Sequence, residues 1–226
     1  MIDALPARGV YSAHRASALA GVPTSTVYEW ARKKIVVPSI SPERVKLWSW
    51  ADLVALRAIY WLRHPATDVR HATSMMRVRQ VIAEVESAAV HIGQAIGEHT
   101  LELHADRSGM VYVERDGVLV EAGHHFNQRV AGELVIDLLQ KFRCDAEIVG
   151  PNLMKPRPEL RIIPGKLSGE PHVLGTRIET RVLAALRGRG LEADAIVELY
   201  PGLTRDAVDQ SIDLERQLDK NLAVAA

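Results

Sequence analysis

Tyr11-Ser12-Ala13-His14-Arg15-Ala16-Ser17-Ala18-Leu19-Ala20-Gly21-Val22-Pro23-Thr24-Ser25-Thr26-Val27-Tyr28-Glu29-Trp30-Ala31-Arg32-Lys33-Lys34 holds two short helical patterns separated by a break. Ser12 is placed as an N-cap, and Ala16, Leu19 and Ala20 recur at helical spacing behind it. Gly21-Val22-Pro23 ends that helix. Thr24 is the N-cap candidate for a second helix, whose apolar positions are Val27, Trp30 and Ala31. Two short helices joined by a glycine-containing turn form the unit that places its second helix in the DNA major groove.

Working outward, Ile35-Val36-Val37-Pro38 leaves the second helix, and the polar run from Ser39 to Lys46 has the character of a wing. Leu47-Trp48-Ser49-Trp50 leads into a third helix, Ala51 to Leu62. Ala18-Leu19-Ala20-Gly21-Val22, Thr26-Val27-Tyr28-Glu29-Trp30, Pro38 and Trp48-Ser49-Trp50-Ala51-Asp52-Leu53 together resemble the MerR-type winged helix-turn-helix. Tyr28 departs from that family, which commonly carries an arginine there; a tyrosine hydroxyl still bonds a phosphate. The candidate DNA-binding residues are Thr24, Ser25, Thr26, Tyr28, Arg32, Lys33, Arg44 and Lys46. Two readings stand side by side here. Arg32, Lys33 and Lys34 suit phosphate contact or a solvated helix end, and Trp30, Trp48, Trp50 and Trp61 suit core packing or base stacking, core packing being favoured.

The charge distribution agrees with a nucleic-acid module at this end. The 226-residue chain has a formal net charge of zero, but residues 1–64 hold nine Lys/Arg against four Asp/Glu. Residues 65–158 hold 10 against 13, and residues 159–226 hold 9 against 11. A basic head on an acidic body is the pattern expected when one module meets phosphate. Cys144 is the single cysteine, so an internal disulfide is excluded and a reducing, cytoplasmic setting is expected. No signal-peptide layout and no long apolar run is present, so no membrane partner is expected.

The middle of the chain reads as architecture. Met75, Val78, Ile82, Val85 and Ala89 make a heptad-like seam, suited to self-association or to the chain's own core, with self-association slightly favoured. Leu101–His104 and Met110–Glu114 alternate as strands do, and Asp116-Gly117 before Val118-Leu119-Val120 signals a two-residue hairpin. Asn127 is placed to cap a helix with apolar positions Val130, Leu134, Leu138 and Phe142. His64 with His71, His99 with His104, and His124 with His125 do not give the three-ligand pattern of a catalytic zinc site. No metal, no cofactor and no catalytic residue is expected, and the chain is not read as an enzyme. Pro151, Pro156 and Pro158 mark the second boundary.

Beyond that boundary come Leu160-Arg161-Ile162-Ile163-Pro164-Gly165, Ser168-Gly169-Glu170-Pro171, Gly175-Thr176-Arg177-Ile178 and three helical patterns, the middle one ending in Leu199-Tyr200-Pro201-Gly202-Leu203-Thr204. His172-Val173-Leu174 suits pairing with a symmetry mate or a simple lead-in loop. Thr180 and Thr204 are cap candidates, Asp194 opens the middle helix, and Leu214, Leu218 and Leu222 continue the apolar face of the last one. This order resembles a small family of domains of unknown function that recurs in antitoxins. The resemblance implies a VapB-like antitoxin whose partner is a PIN-like ribonuclease toxin. Under it, Leu214, Leu218 and Leu222 are candidate toxin contacts, and Arg216 and Lys220 compete for the toxin's acidic metal site.

The expected fold is α+β, mainly α. It has a winged helix-turn-helix at residues 1–64, a central helix and strand region with possible dimerisation at 65–158, and a three-helix antitoxin-type module at 159–226. The expected function is the antitoxin of a type II toxin–antitoxin system, a homodimer within a hetero-oligomer that represses its own operon at operator DNA. The competing reading is a stand-alone MerR-like regulator sensing a small molecule.

Overall fold

The computed structural model describes residues 8–64, 72–95, 97–105, 111–115, 118–121, 134–144 and 147–224. It is a mixed α/β structure with seven α-helices and small antiparallel sheets among those residues. Helices α1 (Ala13–Ala20) and α2 (Thr24–Arg32) follow the short strand β1 (Tyr11–Ser12), and β2 (Leu47–Trp48) pairs antiparallel with β1. The Ser12 hydroxyl accepts the Arg15 amide at 3.2 Å, so the expected cap is in place. Thr24 is not a cap: Pro23 holds that position, and the Thr24 hydroxyl lies 2.8 Å from the Ser17 hydroxyl instead. A proline at this point already fixes the entry angle, which frees the threonine to tie α2 back to α1.

Helix α3 (Trp50–Arg63) is the centre of the molecule. Seven consecutive residues, Leu53 to Ile59, have no exposed surface, so α3 is covered on every side. Ser49 and Asp52 form a reciprocal capping box at its start. Trp30, Trp48 and Trp50 are buried and Trp61 is half-buried, and the Trp50 indole donates to the Leu153 carbonyl at 3.1 Å.

Helix α4 (Met75–Gln94) buries Val78, Val81, Ile82, Val85, Ala88, Ala89 and Ile92 and packs along α3. The heptad-like seam is therefore consumed inside the chain rather than offered to a second copy. The other side of α4 carries a four-stranded antiparallel sheet in the order β5-β4-β3-β6, formed by β3 (Leu101–Ala105), β4 (Val111–Arg115), β5 (Val118–Glu121) and β6 (Leu134–Asp137). Strand alternation puts Leu101, Leu103, Ala105, Val111 and Val113 on the buried face. Arg115 pairs with Val118, the register a two-residue hairpin requires; Asp116 and Gly117 themselves lie outside the described residues.

The helix expected over Val130–Phe142 is a correction. Asn127 and Val130 lie outside the described residues, but Leu134–Asp137 is a strand, followed by a turn and by β7 (Phe142–Arg143), which pairs with β8 (Val149–Gly150). Leu134-Val135-Ile136 is a branched apolar run as good for a strand as for a helix. The Asp137 carboxylate closes the turn by accepting the Leu139 amide at 2.9 Å.

Strand β9 (Leu160–Arg161) pairs with β10 (His172–Val173) of the same chain, so the segment is neither a lead-in loop nor a strand left for a symmetry mate but pairs internally. Three helices follow: α5 (Thr180–Gly188), α6 (Ala193–Leu199) and α7 (Arg205–Val224). Thr204 caps α7, accepting the Ala207 amide at 3.1 Å. Thr180 does not cap α5, because Glu179 holds the cap position and the Thr180 side chain turns inward. One continuous apolar core runs from Tyr11 to Leu218. No helix among the described residues is long and apolar enough to cross a membrane.

Candidate nucleic-acid interface

Gly21 sets the angle between α1 and α2. It has φ of 70°, and its amide reaches the Ser17 carbonyl at 2.9 Å, closing α1 with a left-handed residue. A Cβ here would stand 2.3 Å from the Gly150 amide nitrogen, so both the turn and the close approach of β8 demand glycine. Helix α2 ends on the same motif without a glycine: Lys34 has φ of 52°, its amide bonds the Ala31 carbonyl at 3.2 Å, and the Ile35 amide bonds the Trp30 carbonyl at 2.9 Å.

The outward face of α2 carries Ser25, Tyr28 and Arg32, all exposed, at positions that share one side of a helix. Tyr28 is 44% exposed and meets the His14 ring edge-on at 6.3 Å. Thr24 and Thr26 are half-buried. The loop after α2 folds back on itself, with Ser41 bridged to Leu47. Its start is pinned by Asp52, whose carboxylate accepts the Ser39 amide and hydroxyl, each at 3.0 Å. Burial raises the Asp52 carboxyl above its ordinary value, against the hydrogen bonds from Ser39 and Ser49 that hold it down.

Between α2 and this loop lies an open cleft of about 600 Å³ bordered by Ser25, Tyr28, Arg32, Lys34, Pro42 and Lys46. Four of the eight candidate DNA-binding residues, Ser25, Tyr28, Arg32 and Lys46, therefore meet in one place. Lys33 pairs with Glu29 one turn back, and the half-buried Lys46 donates to the Glu43 carbonyl at 3.3 Å. Arg32 and Arg44 are exposed and make no ion pair among the described residues.

Two arginines counted with the basic head are used inside the molecule. Arg57, in the middle of α3, is fully buried and donates to five carbonyls: Leu19, Ala20, Leu138, Gln140 and Pro151, at 2.5 to 3.0 Å. The first two belong to the C-terminal end of α1, where a cation is favoured. Burial pushes the Arg57 guanidinium down to about 9, with Asp137 opposing, so it stays charged at neutral pH. A charged residue inside the run Leu53–Tyr60, otherwise wholly apolar, is the sequence signal for such a role.

Arg15 joins the first helix to the last one. Its guanidinium contacts Glu215 of α7 at 2.7 and 2.9 Å and Glu170 at 2.8 and 2.9 Å. Burial opposes the Arg15 charge, but the bond and charge of Glu215, with Glu170 behind them, hold it above its ordinary value. Thr180 donates to the same Glu215 carboxylate, and the buried Tyr11 hydroxyl donates to the Gly169 carbonyl at 2.8 Å. Glu215 is buried at the centre of this network. Nothing local in the sequence marks these pairs, because Arg15 and Glu215 stand 200 residues apart.

Residues 161–213 match the family described as a protein of unknown function, DUF433. No curated protein matches the chain. The chain is similar to the crystal structure of Rv2018 from Mycobacterium tuberculosis, at 16% identity and a TM-score of 0.44, over 90% of this chain and 96% of that one.

The candidate toxin contacts lie just past the matched segment, on the last turns of α7. Of these, Leu214 and Leu218 are buried in the chain's own core, while Leu222 is half-buried against it. The last turns of α7 lie against α1 and β8: the Asn221 amide donates to the Ala18 carbonyl at 3.0 Å and to the Val149 carbonyl at 2.9 Å. Arg216 and Lys220 remain exposed, one turn apart, with no ion pair among the described residues.

Proposed function

We propose that this chain is the antitoxin of a type II toxin–antitoxin pair. Its α1–α2 unit and the following loop act as a MerR-like winged helix-turn-helix that binds operator DNA and represses its own operon, as a homodimer in a cytoplasmic hetero-oligomer. Its C-terminal module blocks a PIN-like ribonuclease toxin, with Arg216 and Lys220 as the cations that meet the toxin's carboxylates. One observation carries this reading. A cleft bordered by Ser25, Tyr28, Arg32 and Lys46 belongs to the same chain as a segment that matches DUF433, a family of unknown function, and the order of that segment resembles the domains found in antitoxins. Arg32 and Arg44, exposed and without an ion pair among the described residues, are the cations offered to phosphate here, and each phosphate they neutralise releases counterions.

Co-expression with the adjacent reading frame tests it. A small partner that co-purifies, cleaves RNA alone and is silent in the complex supports the proposal. A chain that elutes alone yet still shifts its promoter DNA overturns the antitoxin half.

That second outcome is what a stand-alone regulator with a small-molecule effector predicts, and one feature favours it. A cleft of about 410 Å³ opens between the start of α3 and α4, walled by Trp50, Val90 and Pro164 and lined by Asp52, Glu86 and His91. It adjoins Ser39, where the loop begins, so an occupant would touch the same anchor that positions the wing.

A further inference from the structure

The outer face of the four-stranded sheet is the least explained polar surface of the molecule. Glu102 and Glu114 are directly opposite each other on β3 and β4, a pairing of like charges that ordinarily destabilises a sheet. His104 follows Glu102 by two positions and so shares its face. Its Nε2 lies 3.1 Å from Glu114 Oε2 and 3.4 Å from Glu102 Oε2. That nitrogen is closed off from solvent and forms no hydrogen bond, although both carboxylates are near. One potential ligand atom from each of the three residues falls within 4.8 Å of the other two.

We infer that Glu102, His104 and Glu114 form a binding site for a divalent transition-metal ion of the zinc class. Zinc–nitrogen and zinc–oxygen bonds of about 2.0–2.2 Å at tetrahedral angles separate ligand atoms by about 3.3 Å. The two separations measured from His104 bracket that value. A neutral imidazole and two carboxylates balance the charge of a dication, which removes the repulsion between the opposed glutamates and gives the orphaned nitrogen a partner. Imidazole with two carboxylates selects zinc and its neighbours over calcium or magnesium, which prefer all-oxygen sites. The ion ties β3 to β4 through side chains on a rigid sheet, with three protein ligands and one coordination position open. The site rests on the sheet alone and is independent of the proposed operator and toxin contacts. The histidine pairs visible in the sequence do not reveal it, because its ligands are one histidine, its own strand neighbour and a cross-strand partner 10 residues further on.

The test is a titration of the full chain, without an affinity tag, with Zn(II) by calorimetry and with Co(II) by visible absorption. One equivalent is expected to bind, with the intense Co(II) absorption of a low-coordinate site. His104→Ala and Glu114→Gln are each expected to weaken binding by about 100-fold or more, the upper end of what loss of even an outer-sphere partner costs. His91→Ala is expected to leave it unchanged. Circular dichroism of each variant verifies that the fold persists, and Glu102→Gln serves if either of the others fails to fold. No binding to the wild-type chain overturns the inference, as does binding that survives His104→Ala undiminished.

Discussion

The seam between α1 and α7 and the outward face of α2 are both rich in charge, and they treat it in opposite ways. At the seam, Arg15 and Glu215 are held in mutual contact below solvent, with side-chain exposures of 17% and 9%. On α2, Arg32 stands exposed without an ion pair among the described residues, next to Tyr28 and across a cleft from Lys46. A buried charge without its partner is costly, so the seam's charges are fixed by the fold. An exposed one costs the fold little and is free to serve a partner outside. The same residue type is thus structural in one place and available in the other, and burial with partner geometry tells the two apart where net charge does not.

Mutation sharpens that contrast. Arg57→Ala, which strands five carbonyls, four of them in buried contacts, is expected to lower stability by about 3–5 kcal/mol in urea unfolding. Arg15→Ala should cost about 3 kcal/mol, since it leaves Glu170 and Glu215 buried without their cation, and Arg15→Lys should recover only part because the two-pronged contact is lost. An intact stability in either alanine variant would erase the distinction between the two regions.

Glu86 gives a pH-dependent effect. Burial, and then the charge of Asp52, raises its carboxyl from 4.5 to about 7. A folded value above the unfolded one means that this stabilising contribution is complete below about pH 4.5 and is lost as pH rises through about 7. Glu86→Gln should therefore raise the urea midpoint at pH 8 and leave it nearly unchanged at pH 4.5; a shift of equal size at both pH values contradicts this assignment. Lys34→Gly should stabilise by about 0.5–1 kcal/mol, because glycine adopts the left-handed conformation without strain and loses part of that gain through the unfolded chain. Arg32→Ala has the smallest expected effect on stability, within about 0.5 kcal/mol in the same assay.

Much of the local structure was legible where signals were local. Ser12, Thr204 and the Gly21 break act as their chemistry suggests, and the alternation in Leu101–His104 delivers a strand. The reading faltered where tertiary partners decide. The seam on α4 has the same pattern whether it meets a second copy or α3, and Leu214 and Leu218 look free until α1 is seen against them. Leu134–Phe142 satisfies both periods, and the sheet edge at β3, which β6 occupies, settles it. In the candidate interface, the cations of α2 and the loop were legible as a basic head. That Arg15 and Arg57 do not belong with them was not, because their partners lie on distant segments.

The most direct test is the affinity of the chain for its own promoter DNA as a function of salt, measured for the wild type, Arg32→Ala and Arg44→Ala. The account predicts tight, salt-sensitive binding whose log–log salt slope falls by about 1 for each removed cation while the fold is unchanged. Binding with the same slope in all three proteins, or no binding at all, would contradict it and remove nucleic acid from the function of this face.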